Sequence, residues 1–316
     1  MDKIFLCETP GNIVSVFGSH APVFCKEDIL MGGFEEVRYV FSTWGMPAFT
    51  QQEIRQFLPS LQAVFYGAGT VQAFARPFLN CGVKVFSAWA ANAVPVAEYT
   101  VAQIVLANKG FFITMRYTDR MAANGLTKMH PGNYDVAVGI IGAGMIGKLV
   151  IQMLKAYRLE VLVFDPFLPD EKARELGVEK VSLETLFTRC QVVSNHLANN
   201  AQTKGMLTGA LFEKMRPYAT FINTGRGAQV VEEDLIRALR QRPDLMAILD
   251  VTDPEPPVAG SPLYELPNCI LTPHIAGSLG NEVRRMGRYM EEEYDCYLQG
   301  KPCRYEVTLE MLETMA

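Results

Sequence analysis

Residues 136–147 read VAVGIIGAGMIG. An apolar run ends at Gly142, a short turn follows through Ala143 and Gly144, and a helical pattern, MIGKLVIQMLKAY, begins at Met145. Each glycine has its own duty. Gly142 permits a tight strand-to-helix turn, Gly144 lets backbone approach a pyrophosphate, and Gly147 lets the helix pack close on the strand. The helix N-terminus presents unpaired N–H groups and a positive dipole end to phosphate. A second strand candidate, EVLVFD (160–165), ends in Asp165, at the distance where a carboxylate holds a ribose 2′-hydroxyl. That carboxylate repels a 2′-phosphate, and no Arg or Lys follows until Lys172, which favours NAD over NADP. The plain alternative is a glycine turn with a strand-end Asp that caps a helix.

Working outward, the chain alternates strand and helix patterns on both sides of this turn. After it come QVVSNH (191–196), ATFINT (219–224), LMAILDV (245–251) and CILTPH (269–274), with helical patterns such as VEEDLIRALRQ (231–241) between. Six strands predict a complete doubly wound nucleotide-binding domain. Before the turn come KIFLCE (3–8), VRYVFST (37–43), LQAVFYG (61–67) and VKVFSA (83–88), and Thr50 with Glu53 forms a capping-box pattern for a helix that stops at Pro59. This is a second α/β series. A long helical pattern over Val94–Met121 links the two. A last helix, 281–299, leaves a tail, RYEVTLEMLETMA, too short to be a domain. The late glycines therefore mark an insertion, with the tail returning to complete the first sheet. The predicted fold is α/β: two Rossmann-like doubly wound domains, a substrate domain over 1–105 completed by 285–316, and the nucleotide-binding domain over 106–284 inserted into it.

Bulk properties agree with a soluble two-domain protein. The 316 residues are 49% hydrophobic and 20% charged, with net charge −5 and no block of like charge, which argues against nucleic acid or an anionic membrane as partner. Seven cysteines, an odd number without a C-x-x-C pair, read as free thiols of a cytoplasmic protein. No unbroken apolar run reaches membrane-spanning length, the N-terminus lacks a secretory pattern, and no metal-ligand spacing stands out.

Polar residues gather at the ends of the later strands, where such sheets bind ligands. ATFINT leads into Gly225-Arg226-Gly227, LMAILDV carries Asp250 ahead of a Pro-rich loop with Asp253 and Glu255, and CILTPH ends in His274. The chemistry is complementary. Arginine offers a planar fork for a carboxylate, histidine passes a proton to or from a carbonyl oxygen, and a carboxylate orients the ring. Each residue also has a bland reading: Arg226 as a loop cation, His274 as a satisfied core histidine, Glu255 as a solvated charge, Asp250 as a cap. His196 reads as structural or as lining the cofactor cleft.

The ordered set GAGMIG, FDPF, NTGRG, DVTDPEP and LTPHIAG resembles the D-isomer-specific 2-hydroxyacid dehydrogenase family over nearly the whole chain, and AVPVAEYTVAQ (93–103) is similar to the entry into its interdomain helix. The resemblance implies catalytic Arg226, Glu255 and His274. Arg226 would bind the substrate carboxylate, His274 would be general acid in reduction, and Glu255 would pair with it. Backbone amides of Ala68 and Gly69, in YGAGTVQ, would hold the carboxylate from its other side. Met145, Ile146, Asp165 and Thr224 would line NAD, beside Gly142, Gly144 and Gly147, and Asp250 would hold the nicotinamide carboxamide. A homodimer is implied. The sequence departs from many relatives at Val71 and Phe74, at Ala198 in NHLANN, and in GLTKMHPGN (125–133), where Gly-x-Trp is frequent. Trp44, Met46 and Phe49 read equally as pocket lining or core. The leading expectation is an NAD-dependent oxidoreductase of small D-2-hydroxy and 2-keto acids, working by domain closure. An NADH-sensing corepressor-like interaction protein is the alternative, and a formate-type reductase is disfavoured by Glu255.

Overall fold

The computed structural model describes residues 2–115 and 120–313. The chain divides into two compact units, residues 1–92 with 278–316, and residues 93–277. Both dividing points lie earlier than the sequence reading placed them.

The first unit is built on a six-stranded sheet of β1 (Lys3–Leu6), β2 (Val23–Phe24), β3 (Tyr39–Ser42), β4 (Ala63–Tyr66), β5 (Lys84–Ser87) and, far along the chain, β13 (Glu306–Val307), in the order β13-β5-β4-β3-β1-β2. Strands β3 and β4 are buried at every residue, as continuous apolar runs of a parallel sheet covered on both faces should be. Register sets Phe41 beside Phe65 and Phe65 beside Phe86. Their rings stack in a row, with centroids 5.1 and 4.9 Å apart. Helix Val283–Leu298 closes over that row, with Tyr294 meeting Phe41 and Phe65 edge-on. Beyond it, β13 pairs antiparallel with β5, and the buried carboxylate of Glu293 accepts hydrogen bonds from the Arg304 and Tyr305 amides. The tail thus joins the first sheet through its own backbone.

The second unit holds seven parallel strands: β6 (Tyr134–Ile141), β7 (Arg158–Phe164), β8 (Glu179–Lys180), β9 (Val192–Asn195), β10 (Thr220–Asn223), β11 (Met246–Leu249) and β12 (Cys269–Leu271). Their order, β12-β11-β10-β9-β6-β7-β8, reverses direction between β6 and β9, the crevice at which open α/β sheets take ligands. One face packs Val138, Ile140, Val150, Ile151 and Leu154 with Ala97, Val101 and Ile104. The other packs Ile141, Leu186, Phe187, Phe212 and Phe221.

Three expectations change. The sheet has a seventh strand, β8, a two-residue exposed edge that leaves no apolar signature. Strand β12 ends at Leu271, so His274 lies in the turn beyond it. The long helix runs Trp89–Asn108, not Val94–Met121; Gly110, with φ +69°, turns the chain before a short helix at Phe111–Thr114, and residues 116–119 lie outside the described residues. The apolar spacing continues past Gly110 through Phe112, so periodicity alone carried the helix too far. Helix Trp89–Asn108 is long and apolar enough by composition to cross a membrane, but Ala97, Val101, Ile104 and Ala107 bury it in the core of the second unit.

Candidate active site

The glycine turn sits at the end of β6. Gly142 has φ +90°, and a Cβ there would lie 3.0 Å from the His196 carbonyl group. A Cβ on Gly147 would lie 1.9 Å from the Gly142 carbonyl oxygen, so helix Met145–Leu154 approaches the turn as closely as backbone permits. Gly144 differs: a Cβ there meets nothing within 4 Å. Gly144 is also the N-cap, with no side chain to satisfy the first amides of a ten-residue helix. Open space over unpaired N–H groups suits a pyrophosphate. Asp165 ties β7 to this turn: one carboxylate oxygen accepts from the Ala143 amide at 2.7 Å and the other from Phe167 at 2.8 Å. Each oxygen keeps a lone pair for a hydroxyl. The residues fit a dinucleotide.

His196 follows β9 and is buried. Its Nε2 lies 2.9 Å from Ser194 Oγ and its Nδ1 3.3 Å from Thr224 Oγ1, which in turn meets Thr100. Burial pushes its imidazole down to about 3, so it stays neutral, in keeping with a structural place rather than proton transfer.

Three side chains converge beyond β10, β11 and β12. Arg226 follows β10 and Gly225. A Cβ on Gly227 would lie 1.9 Å from the Thr252 carbonyl carbon and 2.5 Å from the Asp253 amide nitrogen. Only glycine lets the Arg226 loop touch the loop that carries Glu255. Burial depresses the pKa of the Arg226 guanidinium, and the Glu255 charge works against that shift; an arginine stays protonated regardless. Glu255, between the cis prolyl bonds of Pro254 and Pro256, places Oε1 2.6 Å from His274 Nδ1. An ionised carboxylate only accepts, so Nδ1 is the donor and Nε2 is left as the nitrogen that can exchange a proton with a ligand. Both side chains are nearly half exposed, 48% and 42%, so a small molecule can reach them.

The backbone at His274 is left-handed, φ +55°, an uncommon state for a residue with a Cβ. Asp250 holds it there. Its carboxylate accepts from Thr272 Oγ1 (2.6 Å), the Ile275 amide (2.8 Å) and the Ala276 amide (2.9 Å), and its carbonyl accepts from the His274 amide. Tyr99 donates to Thr272 from behind. Asp250 is thus first the clamp of the histidine turn, not a cap of the turn that follows it in sequence; one lone pair stays open for another donor.

In the first unit, the Ser87 hydroxyl lies 2.9 and 2.6 Å from the carbonyls of Ala68 and Gly69, fixing the peptides expected to hold a carboxylate. Val71 and Phe74, the departures beside them, are buried core, as is Phe49, and Met46 packs against the same core; Trp44 alone of its trio is exposed. Sequence reading missed Ser87, Asn195 and Gln229. Of these, Asn195 carried a signal: an amide at the end of a buried strand needs partners.

Residues 110–276 match the family model described as D-isomer specific 2-hydroxyacid dehydrogenase, NAD binding domain. A D-3-phosphoglycerate dehydrogenase of Archaeoglobus fulgidus is 30% identical over 236 residues, 73% of this chain and 44% of that protein. The chain thus matches less than half the length of this curated relative. Among solved structures, apo D-mandelate dehydrogenase of Rhodotorula graminis superposes with a TM-score of 0.79 at 21% identity, over 97% of both chains. The NAD-complexed D-isomer specific 2-hydroxyacid dehydrogenase of Lactobacillus delbrueckii ssp. bulgaricus gives 0.78 at 18%, over 98% of this chain and 100% of that one.

Proposed function

Because the chain belongs to the D-isomer specific 2-hydroxyacid dehydrogenase family and carries its NAD-binding domain, we infer that it interconverts a small 2-keto acid and the D-2-hydroxy acid. The observation that carries this reading is the 2.6 Å His274–Glu255 pair, with Arg226 close enough to feel the Glu255 charge.

Gly142, Gly144, Gly147, Met145 and Ile146 would form the pyrophosphate turn, Asp165 would take the adenosine ribose, Thr224 would line the nicotinamide side and the open lone pair of Asp250 would take its carboxamide. Bound NADH would supply the hydride. Arg226 binds the substrate carboxylate and draws electron density from the keto oxygen. In the first unit, the Ala68 and Gly69 amides would be further donors to a carboxylate. His274 holds a proton at Nε2 and delivers it to that oxygen as the alkoxide forms. Glu255 accepts from Nδ1 and fixes the ring. In the reverse direction His274 Nε2 takes the hydroxyl proton. We propose a cytoplasmic homodimer.

The test is NADH oxidation with a panel of 2-keto acids, including glyoxylate, pyruvate, hydroxypyruvate and its 3-phosphate, each beside a neutral ketone of like size. Turnover confined to the acids is expected, with a D-hydroxy acid as product. Tight NADH binding with no turnover on any acid would overturn the reading and favour a sensing role.

A further inference from the structure

We propose that three buried amides, Asn195, Asn223 and Gln229, form a positioning network that sets Arg226 at the reacting centre; this rests on the dehydrogenase reading above. The three side chains come from the end of β9, the end of β10 and the turn after Arg226, and all are at most 1% exposed. Asn195 Nδ2 donates to Asn223 Oδ1 at 3.0 Å and to Gln229 Oε1 at 2.6 Å. Asn223 Oδ1 also accepts from the Gly225 amide at 3.1 Å, while its Nδ2 donates to the Arg226 carbonyl at 3.1 Å. Gln229 Oε1 accepts from the Arg226 amide at 3.4 Å. Its Nε2 donates to the carbonyls of Leu197 and Ala198, both at 2.9 Å.

Two features set this apart from ordinary core filling. First, the network grips Arg226 by both its own amide and its own carbonyl, and Gly225 besides, so the backbone on each side of the guanidinium is fixed. Second, every donor hydrogen of Asn195 and Gln229 is used, and the carbonyl partners of Gln229 dictate which end is nitrogen. Amides whose hydrogens are both used have a single arrangement and resist displacement. An apolar core at the same place would leave the Leu197 carbonyl and the Arg226 amide unpaired, at a cost. The same Gln229 amide binds the 197–198 segment, so one side chain holds both the arginine loop and the loop after His196. Asn195, Asn223 and Gln229 touch no reacting atom; they act through Arg226.

The experiment compares Gln229→Leu, Gln229→Glu and Asn195→Leu with wild type, well below each variant's melting temperature so that all are folded. Glutamate at 229 keeps the acceptor and the length but turns a carboxylate on two carbonyl oxygens. Readouts are kcat and KM for the 2-keto acid, the NADH dissociation constant by fluorescence, and the affinity of a non-reacting 2-keto acid analogue, oxamate, for the NADH complex. Misplacement of Arg226 by about 1 Å predicts a fall in kcat/KM on the order of 10²-fold, with weakened oxamate and an NADH constant within about threefold. Gln229→Glu should show the loss as strongly as Gln229→Leu, although it preserves volume. Folded variants that lose melting temperature but keep wild-type kcat/KM and oxamate affinity would overturn the proposal and make the network purely structural. A wild-type protein that neither turns over 2-keto acids nor binds oxamate would remove the dehydrogenase reading itself, and this inference with it.

Discussion

A single methyl group at Gly227 should separate the arginine from the acid–histidine pair. In Gly227→Ala the new Cβ would stand 1.9 Å from the Thr252 carbonyl carbon, 2.1 Å from its oxygen and 2.5 Å from the Asp253 nitrogen. All three are backbone atoms, which no rotamer change can move aside. To regain an ordinary carbon contact of about 3.5 Å, the two loops must part by roughly 1.5 Å. Arg226 precedes the new methyl directly, and Glu255 lies two residues beyond Asp253, so the separation is delivered to Arg226 and Glu255. A displacement of this size costs on the order of 10²-fold in rate, and the overpacking costs about 1–3 kcal/mol of stability. The glycine turn at 142–147 is untouched, so NADH affinity should stay within about threefold. The assay is steady-state NADH oxidation with the best 2-keto acid from the panel, alongside NADH fluorescence titration and thermal melting. A folded Gly227→Ala protein with wild-type kcat/KM would refute the claim that this contact sets the site.

Three further outcomes follow from the same structure. Glu255→Gln should lower kcat by roughly 10²–10⁴-fold with little change in NADH affinity, because an amide can stabilise the wrong ring tautomer; an unaltered kcat would show that the pair is incidental. Gly144→Ala should fold normally, since its Cβ meets open space, yet weaken NADH about tenfold, the worth of one hydrogen bond, whereas Gly147→Ala should destabilise by about 1–3 kcal/mol; equal melting points for the two would contradict this. His196 has a folded pKa pushed down to about 3 by burial, below the unfolded value near 6.5, so only the unfolded chain takes up the proton. Its contribution to stability is therefore complete above about pH 6.5 and falls as pH drops toward 3, by about 2 kcal/mol at pH 5. Burial of His130 acts with the same sign. The check is the difference in urea stability between wild type and His196→Gln at pH 7 and pH 5, and a difference that does not narrow with acid would count against a neutral buried imidazole.

What the sequence revealed follows from where local chemistry suffices. Strands β4 and β11 are buried at every residue and read as continuous apolar runs. The two-residue strands β2, β8 and β13 have no such run, and only pairing with a neighbour makes them strands. Gly142 and Gly147 were legible because their duties are local to one turn. Arg226, Glu255 and His274 were legible as residue types at strand ends, but their convergence was not. It depends on the Gly227–Thr252 contact and on the left-handed backbone at His274, both made by residues distant in sequence. Asp250 illustrates the same limit: its carboxylate is largely committed to residues 272–276, which spacing could not disclose. Asn195 and Gln229, 34 residues apart in sequence, become a pair only when β9 and β10 lie side by side.

The most direct trial of the account is the catalytic efficiency of Arg226→Ala toward the best 2-keto acid, measured at saturating NADH. A loss on the order of 10³-fold in kcat/KM, with the NADH dissociation constant unchanged, is the predicted result. An Arg226→Ala enzyme that reduces the same acid within about twofold of wild type would contradict the assignment of that guanidinium to the substrate carboxylate, and with it the chemistry proposed for this site.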